Sequence, residues 1–197
     1  MNIRKSKLSK IITNPITVGP NTTLTKTREI LLENKIKQVV VIEKRKAIGI
    51  ITEKDIAKKI YELGNNPIKS VKAKEFKPRK LFTLSKENSV QECAKMMKRH
   101  RIGIVIILNN KGIFEGIVTK TNLMKTYLTK DRSPIKVSKM MKRKLITAEP
   151  SDPILLVETL LIKYGISRII IKRDQKPVGI ITFRDFVPAK IPQWIAE

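Results

Sequence analysis

The chain has 197 residues, 41% of them hydrophobic and 30% charged, enough to bury a core and to argue against a disordered polymer. Its 42 Lys and Arg against 17 Asp and Glu leave a formal charge of +25, so polyanions are the expected partners: nucleotides, nucleic acid or anionic lipid. One cysteine, Cys93, and one histidine, His100, exclude an intrachain disulfide and a zinc constellation, and no apolar run approaches the ~20 residues of a membrane span. Residues Met1 to Lys10 lack the apolar segment of a secretory signal, so a cytoplasmic location is expected. The basic residues are spread along the whole chain and thicken at Lys72 to Lys80 and Lys139 to Lys144; a surface merely solvated by ammonium groups is the plainer reading of the same charge.

In chain order, Ile16-Thr17-Val18 reads as a short strand. Gly19-Pro20-Asn21 is a turn, and Thr22 or Thr23 caps a helix carrying Leu24, Ile30, Leu31 and Ile36. The β-branched run Val39 to Ile42 is a buried strand, and a charged turn leads into a second strand, Ala47 to Ile51. A helix from Glu53 to Leu63 stops at Gly64-Asn65-Asn66-Pro67. The order then repeats. Leu81 to Leu84 is a strand, Ser89 a cap, and Val90, Cys93, Ala94 and Met97 share one helical face, which turns Cys93 into the core. Ile102 to Leu108 and Phe114 to Val118 are strands joined by the turn Asn109-Asn110-Lys111-Gly112, and a helix from Lys120 to Leu128 runs into a linker, Thr129 to Pro134.

The third round starts at Val137, with a strand at Leu145-Ile146-Thr147 and a helix opened by Pro150-Ser151-Asp152-Pro153. Its residues Ile154 to Val157 and Leu160 to Ile162 wrap most of the helix, which predicts cover on more than one side by a second repeat. Arg168 to Ile171 and Val178 to Ile181 complete the hairpin, and Pro188, Pro192 and Trp194 lie near the end.

One joint returns three times. Gly49-Ile50-Ile51-Thr52-Glu53-Lys54-Asp55 is matched by Gly116-Ile117-Val118-Thr119-Lys120-Thr121-Asn122 and by Gly179-Ile180-Ile181-Thr182-Phe183-Arg184-Asp185. Thr17, Thr83 and Thr147 precede those glycines by 32, 33 and 32 residues, so three units of nearly equal length make up the chain. A Thr at a strand end, where a helix begins, sits beside unpaired N–H groups and the positive end of the helix dipole, which suits a phosphate oxygen. An Asp three residues on lies one turn away, where it can accept from both hydroxyls of a ribose. Thr-x-x-Asp is equally a capping-box-like helix start, and that explains the spacing with no ligand at all.

Strand, helix, strand, strand, helix, closed by Gly-h-h-Thr-x-x-Asp (h, apolar), resembles the CBS domain over nearly the whole chain. The resemblance implies an α+β fold of three CBS repeats, 1–66, 67–133 and 134–197. Two would pair within the chain, and the third with another repeat: that of a second copy in a homodimer, another chain, or a fourth repeat. It further implies a non-enzymatic regulator or sensor that binds an adenine nucleotide or adenosyl ligand in clefts between repeats. By resemblance the binding residues are Thr17, Lys37, Val39, Thr52, Lys54 and Asp55 in repeat one and Thr147, Arg168, Ile169, Thr182, Arg184 and Asp185 in repeat three, with Ile16, Val41, Ile146 and Ile171 beside the adenine. Asn122 replaces the Asp in repeat two, while Gly103 and Ile104 stand where repeats one and three carry Lys37 and Arg168, so that repeat's site lacks charge.

No nucleophile elbow, Walker loop or metal-ligand cluster is present, which argues against catalysis; no cofactor is required, and magnesium would accompany only a polyphosphate. A nucleic-acid-binding protein and an adaptor with empty clefts are the alternatives. The 5% aromatic content offers little for base stacking and weighs against the first.

Overall fold

The computed structural model describes residues 5–63, 70–76, 80–128, 138, 141 and 144–186. Repeat one contains β1 (Thr17–Val18), α1 (Leu24–Glu33), β2 (Gln38–Glu43), β3 (Lys46–Thr52) and α2 (Glu53–Leu63). Repeat two contains β4 (Thr83–Leu84), α3 (Val90–His100), β5 (Ile104–Leu108), β6 (Phe114–Thr119) and α4 (Lys120–Leu128). Repeat three contains β7 (Thr147–Ala148), α5 (Ile154–Lys163), β8 (Arg168–Arg173) and β9 (Lys176–Thr182), followed by a 3-10 turn, Phe183–Phe186, where the sequence predicts a helix. Two further 3-10 turns, Leu8–Lys10 and Ala73–Glu75, lie in the lead-ins to repeats one and two. The predicted stop at 64–67, the linker at 129–134, Val137, Pro188, Pro192, Trp194 and most of the basic run at 139–144 lie outside the described residues, as do residues 77–79.

Each repeat folds its strands into one three-stranded sheet in chain order. The first strand runs parallel to the second in the same register each time, Thr17 opposite Val40, Thr83 opposite Ile106 and Thr147 opposite Ile170. β5–β6 and β8–β9 are antiparallel, with a bulge after Ile107 and after Ile171. The helices start where their caps allow. The Thr23 side chain accepts from the Lys26 N–H, and Ser89 and Glu92 form a complete capping box that holds the Glu92 carboxyl below its usual range. Helices α1, α3 and α5 give way to Lys35, Arg101 and Gly165, each with positive φ, which turns the chain toward the next strand.

The chain divides into two compact units. The first holds 1–22, 39–50 and 73–134: the sheet of repeat one and all of repeat two. In it Val40, Ile106 and Ile117 form a buried cluster, with Ile42, Ala47, Ile50, Ile104, Leu108 and Phe114 packed around it. Register-equivalent positions of the two repeats thus meet across one apolar seam, and the Phe114 N–H donates to the Arg45 carbonyl. On the other face of repeat two, Leu8, Val90, Cys93, Met97, Val105 and Val118 make a second core, where burial pushes the Cys93 thiol up to about 11. The second unit holds 23–38, 51–72 and 135–197: helices α1 and α2 with repeat three.

The lead-ins exchange places. Residues before repeat one finish repeat two: Val90 N–H donates to the Ser6 carbonyl, Lys7 bridges to Ser89, and Leu8 is fully buried. Residues before repeat two finish repeat one in the same way, with Leu24 N–H donating to the Val71 carbonyl and Lys72 bridging to Thr23. The first turns of α1 and α3 thereby gain acceptors and apolar cover, and Leu24 and Val90 are fully buried. No such strap reaches α5 among the described residues. Ile154, Leu155 and Leu156 are 39%, 59% and 42% exposed, so the predicted cover on several sides of this helix is absent there; Val157 and Leu161 alone are buried.

The strap of repeat two crosses Gly116. A Cβ there would lie 2.8 Å from both Ile12 Cγ1 and the Thr13 carbonyl oxygen, whereas at Gly49 the nearest atom would be 3.6 Å away. Gly116→Ala is therefore expected to cost roughly 1–3 kcal/mol in urea unfolding and Gly49→Ala less than about 1 kcal/mol. Equal losses would mean that the strap does not press on Gly116.

Candidate functional site

The three joints are built alike. At the end of β3 the Thr52 N–H and Oγ1 both donate to Asp55 Oδ2, at 2.9 and 2.6 Å, and the Asp55 N–H donates back to Thr52 Oγ1 at 3.2 Å. At the end of β6 the same three bonds link Thr119 and Asn122 at 2.8, 2.6 and 3.2 Å. At the end of β9, Thr182 N–H and Oγ1 reach Asp185 Oδ2 at 2.7 and 2.9 Å. The backbone needs an oxygen one turn on, and the amide of Asn122 supplies it as well as a carboxylate does. Charge at Asp55 and Asp185 is thus more than the joint itself requires.

The second unit collects two of these joints. Arg184 Nε and Nη2 contact Glu53 Oε1 at 2.7 and 2.6 Å, and Nη2 also donates to the Ile36 carbonyl at 3.2 Å. The Glu53 N–H donates in turn to the Lys37 carbonyl, and the Lys54 ammonium lies 5.7 Å from the centre of the Phe183 ring. The turn Phe183–Phe186 packs on α2 of repeat one, with Phe183 buried and Glu53 only 9% exposed. Glu53 escapes notice in sequence because the joint motif leaves its position open. Its signal is the contrast with Lys120 and Phe183 at the matching places.

The other candidate residues fall into two groups. Arg168 is the cross-strand partner of Thr182, so an exposed guanidinium-bearing residue stands beside the joint that carries exposed Asp185. Lys37 is exposed next to its own joint, and Thr17 and Thr147 head the short parallel strands β1 and β7. Val39 and Ile169 are fully buried in the sheets and present no surface, while Arg184 and Lys54 are held by Glu53 and Phe183. Among the described residues no group of three His, Cys, Asp or Glu could hold a metal ion, and no helix is long and apolar enough to cross a membrane.

Three α+β repeats, each closed by a Thr-x-x-Asp or Thr-x-x-Asn joint and two of them meeting through their sheets, define a class of tandem-repeat modules. The sequence profile of the CBS domain matches residues 8–62, 73–129 and 137–191, and the chain belongs to that family. Protein MJ1225 of Methanocaldococcus jannaschii is 22% identical over 91% of this chain and 69% of its own length, and its crystal structure superposes with a TM-score of 0.83 over 92% of this chain and 71% of that one. MJ1232 of the same organism is 28% identical over 55% of this chain but only 35% of its own length, so this chain spans about a third of that relative. The CBS pair of protein MJ0100, crystallised with 5-methylthioadenosine and S-adenosyl-L-methionine, is 25% identical over 62% of this chain, with a TM-score of 0.54.

Removing Arg184 leaves the Glu53 carboxylate nearly buried without its cation. Arg184→Ala is expected to destabilise the protein by roughly 1–3 kcal/mol, with Arg184→Lys recovering little because an ammonium lacks the planar fork that puts both Nε and Nη2 on Glu53 while Nη2 reaches the Ile36 carbonyl. Calorimetric melting checks this; an Arg184→Ala protein as stable as the parent would show that the ion pair holds nothing.

Proposed function

We propose that the chain is a non-catalytic sensor that binds an adenine nucleotide or adenosyl ligand at the joints of repeats one and three. The observation that carries this reading is the surplus charge at Asp55 and Asp185, since the same bond geometry is reached at Asn122 without it. Both contacts of Asp185 use Oδ2, which leaves Oδ1 of an exposed carboxylate to accept from a ribose hydroxyl. Arg168 and Lys37 are the cations for a phosphate or sulfonium-bearing tail to meet or avoid, and Thr17 and Thr147 offer hydroxyls at the heads of β1 and β7. Arg184 and Lys54 act through their field while Glu53 and Phe183 hold them. The ligand is regulatory and no cofactor is required; magnesium enters only with a polyphosphate. The CBS pair of MJ0100 and its two adenosyl ligands support the ligand class by likeness.

Titration calorimetry with AMP, ADP, ATP and S-adenosyl-L-methionine tests it. One of them is expected to bind, and Asp185→Ala or Asp55→Ala to weaken it about 10- to 100-fold, the value of a charge-assisted bond. Unchanged affinity in both variants would remove the joints from the site. Nucleic acid is the competing reading of the +25 charge, and affinity for it that falls steeply with salt, with no nucleotide bound, would favour it.

A homodimer through repeat three is the second part of this reading. Leu145, Val178 and Ile180 are 56%, 55% and 52% exposed, whereas Ile117, the register equivalent of Ile180, is 6% exposed under the sheet of repeat one. The seam of repeats one and two joins like positions to like, so the bare face of repeat three suits a second copy of itself about a two-fold axis. Arg168 and Lys172 on β8 repel their own copies, so light scattering should show a dimer that tightens as salt rises and is lost in Ile180→Asp. A monomer at every salt concentration would exclude it.

A further inference from the structure

Repeats one and two each carry a groove beside their two helices, and the two grooves differ in what fills them. In repeat one the turn Phe183–Phe186 packs on α2, with Phe183 buried and Arg184 fixed on Glu53 and on the Ile36 carbonyl just past α1. Among the described residues nothing fills the corresponding groove of repeat two, between α3 and α4. It has a volume of about 560 Å³ and is lined by Ala94, Met97, Leu123 and Met124 with Lys98, Arg101 and Lys120 around them. Met124 is 59% exposed, while Ala57, its counterpart in repeat one, is fully buried.

The charges are the reverse of those in repeat one. Lys120 stands one residue after its joint Thr, where repeat one has Glu53, and Lys98 and Arg101 close the same groove. An occupant that repeats the Phe183–Phe186 arrangement must therefore bring carboxylates where Arg184 brings a guanidinium. The matching turns of a second copy do not supply them. The position of Arg184 is Lys54 in repeat one and Thr121 in repeat two, and two repeat-two grooves face to face would oppose three cations with three.

We infer that the α3–α4 groove is a docking site for a different protein, which inserts an acidic amphipathic helical turn: apolar residues onto Met97, Leu123 and Met124, carboxylates onto Lys98, Arg101 and Lys120. Apolar floor and cationic rim give this groove both parts of a helix-in-groove recognition mode, and exposed methionine adapts to the side chain it receives. The inference is independent of the nucleotide reading.

The test uses the full chain labelled with ¹³C at its methionine methyls and a helical peptide patterned on Phe183–Phe186 with Glu in place of Arg. The peptide's Lys counterpart and polyglutamate serve as controls. Expected are a saturable shift of the Met97 and Met124 methyls with the Glu peptide alone, and a loss of affinity of about tenfold or more in Lys120→Glu but not in Lys176→Glu, an equal charge change on β9. Binding of the Lys peptide by Lys120→Glu would complete the charge exchange and support the assignment. Equal loss in the two lysine variants, matching binding of polyglutamate, or methionine methyls that do not move would reduce the effect to attraction by net charge and overturn the proposal. So would a concentration-dependent shift of Met124 with no peptide present, which would put a second copy in the groove.

Discussion

A single side-chain oxygen, received by a threonine at the end of a strand, fixes the direction in which each repeat leaves its sheet. The Thr N–H and hydroxyl both donate to it, so the last strand residue and the first helical turn are tied within 3 Å at Thr52, Thr119 and Thr182. Orphan donors at a helix start would otherwise be left to solvent. With this corner set, the helix that follows and the groove it borders take the same place in repeats one and two. The chain can then vary what lies between Thr and Asp: Glu-Lys, Lys-Thr and Phe-Arg. Conserved geometry at the corner and free choice beside it let one architecture carry an acid, a cation and an aromatic ring at matching points.

The residues proposed for binding at these corners are in part taken up by packing. Arg184 and Lys54 belong to the joint motif by position, yet one is spent on Glu53 and the other lies over Phe183. Asp185 and Arg168, by contrast, are exposed at the same sheet end. A ligand that drew Arg184 away from Glu53 would loosen the turn Phe183–Phe186 from α2. Under the proposed function, occupancy and the internal packing of the second unit would in that way be coupled through one guanidinium, which is the kind of differential contact a sensor requires.

Much of this was legible in the sequence because the repeat is written in three independent hands. The strand runs Val39–Ile42, Ile102–Leu108 and Arg168–Ile171, the caps Thr23 and Ser89, and the buried face of Val90, Cys93 and Met97 all follow from period and capping chemistry. What could not be read were relations between distant segments. The apolar girth of Ile154 to Ile162 predicts a helix covered on several sides, but cover depends on a strap from elsewhere, and sequence does not say which helix receives one. Glu53 was invisible for the same reason: a charge at an unconstrained motif position gains meaning only when Arg184, 131 residues on, is set against it.

The exchanged lead-ins mean that linear order and spatial ownership disagree. Residues 6–8 lie ahead of the first repeat but complete the second, and residues 71–73 return the favour. A clasp of this kind makes the pair, not the single repeat, the smallest piece with both helix starts satisfied and both cores closed. Cutting the gene at the boundary between repeats one and two would hand each fragment its neighbour's fastening and leave its own undone.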